Sequence, residues 1–256
     1  MKKLGALVAA AALVLAGCGS SPSSGGSGSG SETKTLTVFA AASLTESFTA
    51  LKTAFESAHP GTDVKFNFAG SSALVQQLSN GAQADVFASA DQTNMDKAVQ
   101  AGVINGSPSV FATNKLTVAV APGNPKGITS FADLAKGGLT VVVCAPQVPC
   151  GSATQRVEQR TGITLRPASE EQDVKQVLNK VQSGDADAGL VYVTDAASAA
   201  GKVAQVDFPE AAQAINSYPI AVVRNAPQTD LAKQWVEFVL GAQGRAELQK
   251  AGFGAP

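Results

Sequence analysis

Three small residues, Ser43, Ser71 and Cys150, each follow an apolar, β-prone run and precede a segment with helical spacing. At the start of a helix the first backbone N–H groups lack an intrahelical partner and lie at the positive end of the helix dipole. Donors at three such corners predict a site for an anion. The alternative at Ser43 is structural, because Glu46 three residues later completes a capping-box pattern.

The same serines could belong to a secreted serine hydrolase, but the residues that would assist them are missing. His59 is the single histidine, and it stands beside Pro60 in a predicted helix-ending turn. The candidate turns contain neither a Gly-x-Ser-x-Gly elbow nor a Ser-x-x-Lys arrangement. Iron binding would need clustered tyrosines and carboxylates, and Tyr192 and Tyr218 lie far apart in sequence. The sequence therefore favours binding without catalysis and without direct metal ligands.

The elements that must position these residues alternate between strand-like and helix-like patterns. Apolar residues recur with helical spacing at Leu44, Phe48, Leu51 and Phe55, for example. Strands are predicted at residues 36–40, 64–68, 86–88, 116–120, 139–143, 190–193 and 220–223. This alternation predicts an α/β fold with mostly parallel sheets, in which ligands bind at the carboxyl ends of the strands.

The beginning of the chain has the pattern of an export signal. Residues 1–17 contain two lysines and an apolar run far shorter than the roughly 20 residues of a spanning helix. The segment ends in Leu-Ala-Gly-Cys (15 to 18), which resembles a bacterial lipobox, so we expect lipidation of Cys18. Residues 18–34 are rich in Ser and Gly and predict a flexible tether. We expect a lipid-anchored protein on the extracytoplasmic face of the membrane.

Charge and cysteine content narrow the class further. A net charge of −1 with 5% aromatic residues argues against nucleic acid as a partner. Besides Cys18, the cysteines are Cys144 and Cys150, an even pair in a chain expected in an oxidising compartment. A disulfide is expected, and two free buried thiols are the alternative. The spacing, with no neighbouring histidine, does not predict a zinc site.

Several short motifs occur together and in a fixed order. They are Val-Phe-Ala-Ala-Ala-Ser-Leu (38 to 44), Phe-Ala-Gly-Ser-Ser (68 to 72), Ala-Asp-Val-Phe-Ala-Ser-Ala-Asp (84 to 91), Val-Pro-Cys-Gly (148 to 151), Asp-Val (173 to 174), Gly-Leu-Val-Tyr-Val-Thr-Asp-Ala (189 to 196) and Tyr-Pro-Ile-Ala-Val-Val (218 to 223). The set resembles the molybdate-binding proteins of ABC importers over essentially the whole mature chain. This resemblance implies a type II periplasmic-binding-protein fold with two α/β lobes and the ligand in the cleft between them. Lobe 1 would comprise residues 35–113 plus 224–256, and lobe 2 residues 114–223, with crossings near 114 and 223.

The resemblance also implies which groups bind the anion. They are the hydroxyls and amides of Ser43 and Ser71, the amides of Cys150 and Val174, and the hydroxyl of Tyr192. Family members commonly have alanine at the position of Cys150, a change that a backbone donor tolerates. We expect a bridge to Cys144 to hold this turn in its binding geometry.

A site made only of donors suits a fully deprotonated tetrahedral dianion. Hydrogen phosphate should be rejected, because its proton would be left without an acceptor at a cost of about 1–3 kcal/mol. Molybdate, and with it tungstate, is the expected ligand, and sulfate is the alternative because it has the same charge and shape. We also expect no cofactor and a monomer that closes by a hinge motion. Because the chain has no phosphate-binding Walker loop, we expect a membrane permease with a cytoplasmic ATPase as partner.

Overall fold

The computed structural model describes residues 33–256, which form ten strands and eight α-helices. The strands are β1 (Lys34–Ala41), β2 (Thr62–Ala69), β3 (Val86–Ala88), β4 (Ile104–Asn114), β5 (Leu116–Val120), β6 (Val141–Cys144), β7 (Ser169–Glu171), β8 (Ala188–Tyr192), β9 (Ala204–Val206) and β10 (Asn216–Val223). The helices are α1 (Thr45–Ala58), α2 (Ser71–Ser79), α3 (Gln92–Gln100), α4 (Pro149–Thr161), α5 (Val174–Ser183), α6 (Val193–Ser198), α7 (Thr229–Leu240) and α8 (Ala242–Lys250). The predicted signal, the lipidation site Cys18 and nearly all of the tether lie outside the described residues. Within 33–256, no helix has the length and apolarity needed to cross a bilayer.

The strands form two five-stranded sheets that share one plan. Their orders are β2-β1-β3-β10-β4 and β7-β6-β8-β5-β9. In each sheet a single strand, β10 or β5, runs antiparallel to both neighbours, so four of the five strands point the same way. The first sheet with α1, α2, α3, α7 and α8 is called the first lobe, and the second sheet with α4, α5 and α6 the second lobe. The predicted two-lobed α/β fold with mostly parallel sheets is confirmed.

The chain passes between the sheets twice. β4 ends at Asn114 in the first sheet, and β5 begins at Leu116 in the second. The return crossing was expected near residue 223, but β10 pairs with β3 and β4 of the first sheet from Asn216 onward. The chain therefore returns between Val206, the end of β9, and Asn216. The sequence could not place this crossing, because an apolar strand can be buried in either lobe.

The two lobes have separate cores of different composition. In the first, the ring of Trp235 packs edge-on against Phe55 and Phe48, with centroid separations of 5.1 and 5.7 Å. The second core is mainly aliphatic, with fully buried side chains such as Val177 and Leu190. Burial of Phe48 and Phe55 fixes α1 against the sheet, and with it the turn that precedes the helix.

Three strands and one helix start differ from the sequence predictions. β4, β7 and β9 were not predicted: β4 begins Ile-Asn-Gly-Ser-Pro, which is typical of a turn, and the other two have three residues each. The capping box at Ser43 is wrong. Ser43 lies within a 3₁₀ turn (Ala42–Leu44), and the residue that precedes α1 is Leu44, which makes no side-chain cap.

Candidate functional site

A small pocket lies between the two sheets, where several strands end and helices begin. Its lining residues are Ala41, Ala42, Ser43, Gly70, Ser71, Ala90, Val148, Pro149, Cys150, Asp173, Val174 and Tyr192. All five predicted site residues are among them. The cavity volume is about 10 Å³, far below the roughly 300–1,000 Å³ of pockets for drug-sized ligands. The pocket therefore suits one compact solute.

The strand ends explain why these residues meet. β1 and β2 are parallel neighbours and end together at Ala41 and Ala69, so the turns that follow them lie side by side. In the second sheet β6 and β8 are also parallel neighbours, and β8 ends at Tyr192. Two sets of strand ends thus face each other across the cleft, as the carboxyl ends of α/β sheets do at ligand sites.

The two serine hydroxyls are held so that their protons are free to point into the pocket. The backbone N–H of Ala90 donates to Ser71 Oγ at 2.9 Å. Ser43 Oγ lies 2.9 Å from the Tyr218 hydroxyl, to which the side-chain amide of Asn114 donates at 3.4 Å. With Asn114 donating to Tyr218, Tyr218 can donate to Ser43. Each serine oxygen then accepts from the protein, and its own proton remains available to a ligand.

Tyr192 follows the same rule. Its hydroxyl accepts a hydrogen bond of 2.7 Å from Nδ2 of Asn216, so the phenolic proton is left to donate. Asn216 is oriented in turn by Arg156, whose guanidinium donates to the amide oxygen of Asn216. Burial raises the pKa of Tyr192 well above its usual 10, which keeps the hydroxyl protonated and therefore a donor.

Backbone donors come from the starts of two helices in the second lobe. Pro149 is the first residue of α4 and Cys150 the second, while Val174 is the first residue of α5. Amides at these positions have no intrahelical acceptor, and they lie at the positive end of each helix dipole. Asp173 precedes α5, and its carboxylate accepts from the backbone N–H of Gln176 at 3.0 Å. The carboxylate therefore caps the helix.

Charged groups are sparse in this pocket. Asp173 is the one acidic residue among the lining residues just named, which include no lysine, arginine or histidine. Arg156 lies one residue behind the pocket and acts through Asn216. Burial raises the pKa of the nearby Asp91, although hydrogen bonds from Asn94 oppose the shift. The pocket thus offers mainly neutral donors to a ligand.

A disulfide joins Cys144 at the end of β6 to Cys150 in the first turn of α4, so the predicted bridge is present. The turn it encloses is tight, because a Cβ added at Gly151 would overlap the carbonyl oxygen of Ala145. The hydroxyl of Thr154 donates to the Cys150 carbonyl at 2.9 Å. The peptide unit of Cys150 is thus held both by the bridge and by the helix.

The lobes touch beside the pocket. Gly70 lies so close to the second lobe that an added Cβ would overlap the carbonyl oxygen of Gln172. The side-chain amide of Asn94 in α3 donates to the carbonyl of Gln147 at 3.3 Å. The structure is therefore a closed form, in which both lobes contribute to the lining.

Several residues behind the pocket were not predicted. They are Asn114, Asn216 and Tyr218, which are buried and contact or orient the hydroxyls that line the pocket. The side-chain amides of Asn114 and Asn216 were missed because no local sequence pattern indicates their role. As a candidate ligand, Tyr218 was considered only for a metal. His59 follows the last residue of α1; its ring stacks on Phe55, and Nδ1 contacts the Phe55 carbonyl. Across residues 33–256, no cluster of His, Cys, Asp and Glu could hold a metal ion.

Two lobes that enclose a donor-lined pocket define the class of this chain as a solute-binding protein. It belongs to the bacterial extracellular solute-binding protein family, whose model matches residues 36–254. Membership of this family makes the chain a binding protein and not an enzyme.

Within this family, the chain is similar to several molybdate-binding proteins. The chain is 56% identical over 219 residues to the molybdate-binding protein of Mycobacterium tuberculosis, covering 86% of this chain and 84% of the relative. Identity to the molybdate-binding protein of Escherichia coli is 33% over 226 residues, or 84% and 87% of the two chains. The structure of the periplasmic molybdate-binding protein of Azotobacter vinelandii superposes with a TM-score of 0.75 at 25% identity, covering 86% of this chain and 99% of that one.

Proposed function

We propose that this chain captures molybdate outside the cytoplasmic membrane and delivers it to an ABC importer made of a permease and a cytoplasmic ATPase. The observation that carries the proposal is the set of three hydroxyls, of Ser43, Ser71 and Tyr192, whose oxygens can each accept from the protein and leave their protons for a ligand. The names of the relatives, molybdate-binding proteins, agree with this ligand.

The donor set favours a dianion without protons. Three hydroxyls and the amides of Cys150 and Val174 can all point hydrogens at tetrahedral oxygens, which only accept. Hydrogen phosphate would leave its own proton without a partner, at a cost of about 1–3 kcal/mol. Asp173 also lines the pocket, but Gln176 orients both oxygens of its carboxylate toward the start of α5. We therefore propose that phosphate is rejected.

Tungstate and sulfate are the competing dianions. Tungstate has the charge and shape of molybdate, and we propose that it binds as well. Sulfate is smaller, so in a pocket fixed by two closed lobes it would form fewer or longer hydrogen bonds. Sulfate binding in place of molybdate is the alternative function.

Calorimetric titration of the chain without its first 18 residues tests the proposal. We expect molybdate and tungstate to release heat and to raise the melting temperature by linkage, whereas sulfate should bind weakly and phosphate not at all. Heat and stabilisation with sulfate but not with molybdate would replace the proposed ligand by sulfate. No response to any of the four anions would refute oxyanion capture.

We also propose that ligand binding closes a hinge formed by the two crossings, near 114 and between 206 and 216. The lobes would then comprise residues 33–114 plus 216–256 and residues 115–215. Anion bound to the serines of one lobe would attract the helix starts of the other, because each contributes donors to the same oxygens. The closed form is the state that we propose the permease recognises.

Membrane attachment is proposed through Cys18, after removal of residues 1–17. Metabolic labelling of expressing bacteria with a radioactive fatty acid tests it, with Cys18→Ser as the comparison. We expect label in the wild-type protein and none in the variant, which should also be released from the membrane fraction. Equal labelling of both would refute lipidation at this residue.

A further inference from the structure

Lys175, the second residue of α5, contacts carboxylates of both lobes. Its Nζ lies 3.0 Å from Oδ1 of Asp195 in α6. The same atom lies 2.8 Å from Oε2 of Glu46 in α1. Because α1 belongs to the first lobe and α5 and α6 to the second, only the pair with Glu46 crosses the cleft.

The pair with Asp195 keeps the ammonium group in place. The Asp195 side chain is fully buried, and its Oδ2 accepts the backbone N–H of Tyr192 at 3.2 Å. The Lys175 side chain is itself 20% exposed. An ammonium group that is already fixed by one buried partner loses little further freedom when it pairs with Glu46.

The crossing pair lies next to the anion pocket. Lys175 follows Val174, whose amide lines that pocket. Glu46 and Ser198, which both contact Lys175, also line a larger cavity that shares Ser43 with the pocket. Opening of the cleft would separate Lys175 from Glu46 while leaving Lys175 with Asp195.

We propose that Lys175 is a positioning residue that holds the lobes closed over the bound anion by pairing with Glu46. The inference rests on the proposed function, since it presumes that a dianion is the ligand. It assigns Lys175 a role in ligand release without contact with the ligand. An exposed ion pair contributes little, so the expected effect on release is modest, roughly threefold to fivefold.

The test measures how fast molybdate leaves. The chain lacking its first 18 residues is loaded with molybdate and mixed with excess tungstate, and release is followed for wild type, Glu46→Gln and Glu171→Gln. Glu171 in β7 is the matched control. It pairs with Lys180, which lies on α5 as Lys175 does, but both partners belong to the second lobe. We expect Glu46→Gln to release molybdate roughly threefold to fivefold faster, and Glu171→Gln to release it at the wild-type rate.

The melting temperature of the ligand-free protein separates this role from a structural one. Glu46→Gln should lower it only slightly, through loss of the acidic residue in the first turn of α1, because the pair with Lys175 would form only on closure. A wild-type release rate in Glu46→Gln would overturn the role of Lys175 while leaving molybdate capture intact. A ligand-free melting temperature that falls in Glu46→Gln by as much as the molybdate-bound one would also overturn it, since the pair would then exist in the open form. Failure of the wild-type protein to bind molybdate would overturn both proposals.

Discussion

At the residue scale, the hydroxyls that line the pocket depend on hydrogen bonds from neighbouring residues. Ser71 accepts from Ala90, and Tyr192 accepts from Asn216. A hydroxyl has one proton, so an oxygen that accepts from the protein is free to donate elsewhere. The hydrogen bonds that these oxygens accept therefore determine whether the hydroxyls can donate to a ligand. They thereby determine whether a fully deprotonated or a protonated oxyanion fits the pocket.

Replacement of Ser71 by alanine tests this arrangement. Loss of one hydrogen bond to a charged ligand costs about 1.5–3 kcal/mol, so Ser71→Ala should weaken molybdate binding roughly 10- to 150-fold. Ser72→Ala is the matched control, because Ser72 is the next residue of α2 and does not line the pocket. Calorimetry on both variants checks the prediction, and equal affinity of Ser71→Ala and wild type would contradict it.

Asp195 makes stability depend on pH. Burial raises its pKa from 3.8 to about 6, despite the opposing ion pair with Lys175. The folded state therefore binds a proton more tightly than the unfolded state does. The contribution of Asp195 to the free energy of unfolding should fall as pH rises from about 4 to about 6, and stay level above that range. The change is on the order of a few kcal/mol.

Chemical denaturation of wild type and Asp195→Asn between pH 4 and pH 8 measures this effect. The asparagine variant does not titrate, so the stability difference between the two proteins should shift in its favour as pH rises through that range. A difference that is constant with pH would show that Asp195 does not titrate there.

At the scale of elements, the disulfide fixes the start of α4 to the end of β6. A bridge across a loop of this length contributes about 2 kcal/mol by chain entropy. The double variant Cys144→Ser, Cys150→Ser should therefore melt at a lower temperature. It should also bind molybdate more weakly, because the amide of residue 150 would no longer be held by the bridge.

Thermal melting and calorimetry on the oxidised protein and the double variant separate the two effects. Unchanged affinity with reduced stability would mean that the helix alone positions the amide. Reduced affinity in the double variant would support the role of the bridge in the site.

Much of this element order could be predicted from sequence. The periodicity at Phe48 and Phe55 predicted α1, and β3 and β5 fall where they were expected. Spacing could not reveal that the first half of β4, with Gly106 and Pro108, is a strand, because pairing with β10 overrides its local preference. The predicted capping box at Ser43 is wrong because a distant residue again determines the local structure. The serine oxygen contacts the buried Tyr218 hydroxyl and not a backbone N–H of α1.

The candidate site was predictable only in part. The residues that line the pocket lie at recognisable corners, and their motifs have a family resemblance. The supporting amides of Asn114 and Asn216 lie at the crossings between the lobes. Their function depends on contacts with residues more than 20 positions away, as with Tyr192 and Tyr218. Local sequence patterns contain no information about such pairs.

At the scale of the whole molecule, the two lobes approach each other closely at Gly70. A side chain there would overlap the carbonyl of Gln172 in the other lobe. Gly70→Ala should therefore prevent full closure, weaken molybdate binding and leave the stability of the ligand-free protein nearly unchanged. Gly137→Ala is the control, because a Cβ at Gly137 meets nothing within 4 Å.

Small-angle scattering with and without molybdate checks this prediction. Wild type and Gly137→Ala should become more compact on binding, whereas Gly70→Ala should not. Compaction of Gly70→Ala to the wild-type extent would contradict the assignment of Gly70 to the closing contact.

The tryptophan and the tyrosines of this protein lie in different places: the tryptophan in the core of the first lobe, the tyrosines at the cleft. Its single tryptophan, Trp235, is fully buried, and no hydrogen-bond partner for the indole N–H occurs in the described part of the chain. Both tyrosines lie at the cleft instead, 6.0 Å apart between ring centroids. From Tyr218, contacts through Phe111 and Phe48 lead to Trp235. An indole shielded from water emits at shorter wavelength, so the emission of Trp235 should be blue-shifted, whereas ultraviolet absorption by the tyrosines arises at the cleft where we propose that the anion binds.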